Sequence, residues 1–156
     1  MVAEIITSRE LRELYVKETF SGDKQLFEKY HIIKSSEENC INDTISKIEE
    51  SFDTDLVENY TFYGLKEDGN KIGYFTKFDK REDRYLIEML HSFGININHR
   101  NKKTMSRFMQ ILENFFDDRI IVGLYDKNTR AISFLEKNGF LISQREEEYL
   151  ILSKRI

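Results

Sequence analysis

The sequence predicts a single α+β domain, and three features of the chain support this prediction. Tyr85–Phe93 is an almost continuous apolar run of strand length, which is typical of a strand covered on both faces. A helical stripe follows it, and then comes a second apolar strand, Ile120–Leu124. Two strands joined through a helix are expected to lie parallel, with a right-handed crossover. Upstream, Asp68-Gly69 between two aromatic-rich runs predicts an antiparallel hairpin.

Composition and charge exclude several classes of protein. The 156 residues suffice for one domain with a sizeable core, and the net charge of −4 argues against a general nucleic-acid-binding protein. The single cysteine, Cys40, excludes an intrachain disulfide and gives no metal-site spacing. It lies near the apolar face of a predicted helix, where a small core residue is a simpler interpretation than a nucleophile. Without a membrane-spanning or signal segment, we expect a cytoplasmic protein that binds neither nucleic acid nor membrane.

The N-terminal third predicts one strand and several helices. Val2–Ile6 is a short candidate strand. The spacing Thr7-x-x-Glu10 is that of a capping box ahead of apolar residues on one helical face, so a helix is expected to begin there. Ser35-x-x-Glu38 repeats the signal and predicts a further helix over about residues 36–51.

The middle of the chain predicts a three-stranded meander followed by the central helix. Tyr60–Leu65 and Lys71–Phe78 form the predicted hairpin, and a charged turn leads from it into the central strand at Tyr85. The helix that follows carries a stripe of apolar residues that fits the face of a sheet. The stripe consists of Met105, Phe108, Met109, Leu112, Phe115 and Phe116.

The C-terminal part predicts a short helix and a closing hairpin. Asn128 can cap the helix, and Asn138-Gly139 is a typical C-terminal stop. Phe140–Arg145 and Glu148–Leu152 then predict two paired strands. No repeat, linker or low-complexity segment interrupts the chain, so residues 1–156 are expected to form one domain.

A basic cluster lies at the start of the central helix. His99, Arg100, Lys102 and Lys103 stand where the helix dipole disfavours cations. Free backbone N–H groups together with basic side chains favour an anion site. A solvated basic loop is the alternative interpretation.

Two segments resemble the GNAT N-acetyltransferase superfamily. Residues 128–140, NTRAISFLEKNGF, resemble the late signature of that family, which ends in Glu-Lys-x-Gly-Phe. Residues 100–105, RNKKTM, fall where the family has Gln/Arg-x-x-Gly-x-Gly/Ala at the start of its central helix. The order of elements from Tyr60 onward is also similar. The resemblance implies the GNAT-like acyl-CoA N-acyltransferase fold, a mixed central sheet with a splayed parallel pair and flanking helices.

The resemblance also implies acetyl-CoA as co-substrate and an amine acceptor. Phe93 and Ile95 would offer main-chain groups to the pantetheine arm, and Asn128 would lie near the cofactor unless it is only a helix cap. Oriented amides at a helix start stabilise phosphate. The predicted pyrophosphate-binding residues are Arg100, Asn101, Lys102, Lys103, Thr104 and Met105.

Three positions depart from the family pattern. Lys103 and Met105 fill both glycine positions, and Leu135 stands where many members carry the tyrosine that is presumed to protonate the departing thiolate. Tyr125 and Tyr149 are candidate replacements for this acid, although aromatic packing also explains them. These departures keep a second hypothesis open, a catalytically silent CoA-binding or protein-interaction module, and the sequence allows a monomer or a homodimer.

Glu88 is the predicted general base for an acetyl transfer to an amine. We expect it on the strand face shared with Leu86, Leu90 and Ser92, where burial would raise its pKa. Its alternative is a structural carboxylate that reaches solvent or pairs with a lysine. His91 is the second candidate, on the opposite face, and its alternative is a packed, hydrogen-bonded histidine.

Overall fold

The computed structural model describes residues 1–15 and 59–156. The helix predicted over 36–51 and Cys40 lie outside the described residues. The described elements are β1 (Val2–Ile5), α1 (Ser8–Tyr15), β2 (Tyr60–Glu67), β3 (Asn70–Glu82), β4 (Tyr85–Ile95), a short 3-10 helix (Ile97–His99), α2 (Lys102–Phe115), β5 (Arg119–Tyr125), α3 (Thr129–Lys137), β6 (Leu141–Glu146) and β7 (Tyr149–Arg155).

The strands form one mixed sheet in the order β1-β2-β3-β4-β5-β7-β6. Every neighbouring pair is antiparallel except β4 and β5, which are parallel and joined through α2. The predicted α+β class, the meander of β2 to β4 and the parallel pair joined through a helix are therefore confirmed. The closing hairpin is also confirmed, and its second strand, β7, lies inside the sheet beside β5.

The helix ends are fixed by the predicted local signals. The Glu10 amide donates to Thr7 Oγ1 at 3.2 Å and the Thr7 amide to Glu10 Oε1 at 3.4 Å, the reciprocal pattern of a capping box. Gly139 has a φ of +91° and ends α3, with the Phe140 amide bonded back to the Leu135 carbonyl at 3.0 Å.

Helices cover both faces of the sheet. On one face, α2 and α3 pack over the main core, which includes Phe75, Leu90, Phe108, Leu112 and Leu135. On the other face, α1 packs against β2 and β3. This smaller cluster consists of Ile6, Leu11, Leu14, Phe62 and Tyr74.

The expectation that β4 is covered on both faces from its start is wrong. Tyr85 is 75% exposed, and Leu86 and Ile87 are also exposed. These residues pair with the last residues of β3, beyond the positions of Lys77 and Glu88 that contact the C-terminal end of α2. Apolar composition alone therefore overstated how much of the strand is buried, and burial begins at Glu88.

The β2–β3 turn is the most direct test of the predicted hairpin. Asp68 and Gly69 have φ values of +51° and +80°, as a tight two-residue turn requires. A Cβ at Gly69 would meet no atom within 4 Å, so Gly69→Ala tests backbone conformation alone. It should lower the free energy of unfolding by about 1 kcal/mol, measured by urea denaturation. Asn70→Ala in the same turn is the control, and an equal loss in both variants would contradict this assignment.

Candidate functional site

The parallel strands β4 and β5 pair at a single position. Leu90 pairs with Val122, and no other pair of residues joins these two strands in the described sheet. Both strands continue beyond this point. Ser92 to Ile95 stay paired with β3, and Gly123 to Tyr125 stay paired with β7. We call the space between these two segments the strand gap.

An extra residue in β4 lies where the strand gap begins. Thr76 pairs with Ser92, but the next residue of β3, Lys77, pairs with Leu90, so His91 is left over as a β-bulge. A bulge bends its strand and increases the local twist. The bulged residue directly follows Leu90, the one residue of β4 that pairs with β5 in the described sheet. The strand gap therefore begins at the bulge.

Aromatic contacts bridge the helices and β4 beside the gap. The Phe93 ring lies 5.7 Å from the Phe108 ring of α2 and 6.2 Å from the Phe134 ring of α3. Phe108 and Phe134 are stacked at 6.2 Å. These rings hold the second half of β4 to the helical layer at the point where β5 no longer pairs with it.

The N-terminal end of α2 lies close along the chain to the end of β4. Asn101 caps the helix, since its side chain accepts a hydrogen bond from the Thr104 amide at 2.9 Å. The helix begins at Lys102, so Lys102–Met105 form its first turn rather than a loop before it. The Lys102 and Lys103 amides make no hydrogen bond within the described part of the chain, and both side chains are exposed. This end of the helix therefore presents free amides and two cations.

Arg100 is tied to the end of β4. Its Nε donates to the Ile95 carbonyl at 2.6 Å, and the Asn96 amide donates to the Ile72 carbonyl of β3 at 2.7 Å. These bonds fix the path of the chain from the end of β4 to the helix start. The Ile95 carbonyl, predicted as a main-chain partner for a ligand, already accepts this bond.

Glu88 lies in a buried ion pair on the face covered by α2. Its Oε1 is 2.8 Å from Lys77 Nζ, and its Oε2 accepts from the Asp117 amide at 3.0 Å. The side chains are only 7% and 11% exposed. Lys77 also donates to the Phe115 carbonyl at 2.7 Å, so the pair joins β3 and β4 to the C-terminal end of α2. The lysine partner that the sequence left as an alternative is Lys77, while the role of Glu88 as a base stays a prediction.

The charge of Lys77 is maintained despite its burial. Desolvation lowers its pKa, but the hydrogen bond and charge of Glu88, together with Asp79 at 3.5 Å, outweigh that cost and raise the pKa above its ordinary value. The ammonium group also lies 5.0 Å from the centre of the Phe116 ring. Lys77 therefore stays charged throughout the neutral range.

His91 lies on the other face of the sheet, as predicted, but Ser92 does not share a face with Glu88. Thr76 Oγ1 lies 3.3 Å from His91 Nδ1 and 2.7 Å from Ser92 Oγ, whereas the next residue of β3, Lys77, points to Glu88. The prediction for Ser92 is wrong because the bulge shifts the alternation of side chains by one residue.

Known protein families and solved structures share the architecture described above. The profile of the acetyltransferase (GNAT) family matches residues 10–140, well over half of the chain. The chain belongs to the GNAT acetyltransferase family. No curated protein sequence shows significant similarity to it.

Several solved GNAT-type structures share the fold at low sequence identity. An acetyltransferase from Thermus thermophilus superposes with a TM-score of 0.69 at 13% identity, covering 100% of this chain and 98% of the other. A GNAT acetyltransferase from Streptococcus agalactiae gives 0.66 at 15%, covering 99% and 95%. The PaiA N-acetyltransferase of Thermoplasma acidophilum, solved with coenzyme A, gives 0.56 at 18%, covering 100% of both chains.

The departures from the GNAT pattern have different consequences in the structure. Lys103 is exposed, and Met105 packs its side chain against the core. Leu135 is fully buried in the core, so that position offers no proton donor. Tyr125 and Tyr149 form an edge-to-face pair at 5.0 Å, and burial, together with Tyr125, raises the pKa of Tyr149. The two tyrosines thus pack against each other, as the packing explanation requires, while a role as acid stays a prediction.

Asn128 is a helix cap in this GNAT chain. Its Oδ1 accepts from the Ala131 amide at 3.4 Å, and its own amide donates to the Tyr125 carbonyl at 3.0 Å. A contact to a cofactor stays a prediction. Over residues 1–15 and 59–156, no helix is long and apolar enough to cross a membrane, and no cluster of side chains suited to a metal ion is present.

The Lys77–Glu88 pair should contribute strongly to stability. Lys77→Met would leave the Glu88 carboxylate buried with one hydrogen bond, and we expect a loss of about 3 kcal/mol in the free energy of unfolding. The control is Lys80→Met, because Lys80 and Glu82 form a surface pair whose side chains are 48% and 56% exposed. Removing it should cost at most about 1 kcal/mol. Equal losses in urea denaturation would contradict a structural role for the buried pair.

Proposed function

We propose that this GNAT protein is an acyl-CoA-dependent N-acetyltransferase. It would transfer the acetyl group of acetyl-CoA to a primary amine of a small molecule or of a protein. The observation that carries the proposal is the strand gap, which leaves the inner edges of two adjacent strands unpaired with each other beyond Leu90 and Val122. An extended arm that bears amides can lie between such edges as an added strand would.

The main chain of β4 is suited to the pantetheine arm. Phe93 and Ile95 lie in the segment that borders the gap, and the aromatic contacts of Phe93 hold this segment in place. The bond from Arg100 to the Ile95 carbonyl adds rigidity at the far end. A backbone that is already fixed loses little conformational entropy when a ligand pairs with it.

The start of α2 is suited to the pyrophosphate. Its free amides at Lys102 and Lys103 and the helix dipole favour an anion there. The exposed ammonium groups add positive charge without fixing the geometry of the contact. Thr104 and Asn101 shape this turn through the cap, and Met105 anchors it to the core. The binding of coenzyme A by the Thermoplasma relative supports the same ligand class here.

The competing hypothesis is a GNAT protein that binds CoA or a partner without catalysis. Leu135 is the observation that favours it, because a buried hydrocarbon replaces a possible acid. A thiolate is a good leaving group near neutral pH, so the absence of an acid does not by itself prevent transfer. Binding of acetyl-CoA without release of free thiol in the presence of amines would favour this hypothesis.

Acetyl-CoA binding should be visible as thermal stabilisation. At about a hundred times its dissociation constant, the ligand should add roughly 2.7 kcal/mol to the free energy of unfolding. Lys102→Gln/Lys103→Gln should reduce the shift, because two cations near the pyrophosphate are lost. Lys80→Gln/Lys137→Gln removes the same charge elsewhere and serves as the control.

The contradicting outcomes are specific. No shift at millimolar acetyl-CoA would refute the proposed function. A shift that falls equally in both double variants would show that only the net charge of the protein matters, and would refute the assignment of the helix start.

A further inference from the structure

We propose that His91, held at the bulge by Thr76, takes the proton that the acceptor amine loses during acetyl transfer. The inference rests on the proposed function and assigns a residue to it that differs from the base predicted from sequence. It depends on where the single β4–β5 pair lies, on which face of the sheet α2 and α3 cover, and on which atoms already have partners.

His91 lies beside the closed end of the strand gap. It is the bulged residue directly after Leu90, where β4 and β5 last pair. A thioester at the end of an arm in the strand gap would reach its deepest point where the gap closes. His91 is the ionisable residue of β4 next to that point, on the face away from α2 and α3.

Glu88 is placed differently. Both of its oxygens have partners, Lys77 Nζ and the Asp117 amide, and its side chain lies beneath the end of α2. An amine that approached Glu88 would have to displace the helix end or the lysine. A carboxylate that is held in this way stabilises the fold but is poorly placed to accept a substrate proton.

The hydrogen bonds of His91 leave one ring nitrogen available. Nδ1 faces Thr76 Oγ1, and Nε2 makes no hydrogen bond to any described residue. Thr76 is fully buried, and its hydroxyl also contacts Ser92 Oγ. If Thr76 donates to Ser92, it accepts from Nδ1–H, and Nε2 then carries the lone pair of a base. The same bond persists when the ring is protonated, because Nδ1 is a donor in both states.

The surroundings keep the ring neutral until it is used. Tyr60 packs edge-on against the imidazole with ring centres 4.8 Å apart, and Tyr60 also contacts Phe78. Part of the ring stays exposed, but this packing buries enough of it to lower the pKa of His91 below its ordinary value of 6.5. Burial raises the pKa of Tyr60, so that group is neutral as well. Among the described residues, no charged side chain contacts the imidazole; Lys77, Asp79 and Glu88 lie together in the ion-pair cluster next to α2.

The proposed step balances without a further reactant. The amine nitrogen forms a bond to the acetyl carbonyl carbon, and the carbon–sulfur bond breaks with its electron pair leaving on sulfur. The proton lost from nitrogen moves to Nε2 of His91. It then returns to the thiolate or to solvent, which regenerates the neutral ring.

The test compares His91→Gln with Glu88→Gln and wild type. The probes are acetyl-CoA and five primary amines, namely ethanolamine, tyramine, lysine, spermidine and a lysine-containing peptide, with release of free thiol as the readout. We expect kcat to fall roughly 10²-fold in His91→Gln, while the melting shift with acetyl-CoA is retained. The acidic limb of the kcat/KM profile should lie below pH 6.5 in wild type, persist in Glu88→Gln and vanish in His91→Gln.

A second variant covers the case in which His91→Gln does not fold. Thr76→Val keeps the shape of the side chain but removes the bond that orients the ring, so Thr76 is tested as a positioning residue. The acidic limb of the kcat/KM profile of this variant should move along the pH axis. Nitrogen NMR should show a mixture of His91 tautomers in place of the Nδ1–H tautomer expected in wild type. If nitrogen NMR shows no proton on Nδ1 of His91 in the wild-type protein at neutral pH, the proposal is overturned.

The remaining outcomes separate the two proposals. Unimpaired turnover in His91→Gln, or loss of the acidic limb in Glu88→Gln alone, overturns the role of His91 and leaves the transferase intact. No melting shift of wild type with acetyl-CoA overturns the proposed function itself. Binding without acetylation of any of the five amines counts against both.

Discussion

The bulge at His91 is the constraint on which the rest of this site depends. In a regular parallel pair, evenly spaced hydrogen bonds continue along both strands. The extra residue bends β4 after Leu90, while β3 and β7 hold the outer edges of the two strands. The gap is thus stable because each strand remains fully paired on its other side.

The two faces of β4 carry two different polar clusters. Toward α2, β4 presents Glu88, whose ion pair with Lys77 joins three elements at the closed end of the gap. Toward the opposite face it presents His91 and Ser92, which share the hydroxyl of Thr76. Because Thr76 and Lys77 are consecutive in β3, one step along that strand separates the two clusters. The ion pair and the imidazole can lie on opposite faces of one strand because successive side chains alternate.

Most of the fold could be predicted because its signals are local. The Thr7-x-x-Glu10 capping box, the Asp68-Gly69 turn and the apolar stripe of α2 each depend on residues that are close in sequence, and each is found in the structure. The exposure of Tyr85 was missed because its hydrophobicity does not show how far the covering helix extends.

The arrangement of the site was less predictable for a physical reason. A bulge is a property of two paired strands, so nothing in the sequence of β4 alone marks His91 as the extra residue. Alternation counted through it then placed Ser92 on the wrong face. Lys77 and Thr76 were also missed, although one signal existed. A lysine in an apolar strand and a glutamate in its neighbour are costly to bury apart, which favours pairing them.

Hydrogen exchange of the backbone amides, with and without coenzyme A, tests the central claim that the gap between β4 and β5 receives the ligand. If the ligand lies there, its addition should slow exchange only in residues 92–95, 101–105 and 123–125. The exchange of the edge strands β1 and β6 should not change. Protection that appears only outside these segments, or that spreads evenly over the chain, would contradict the account.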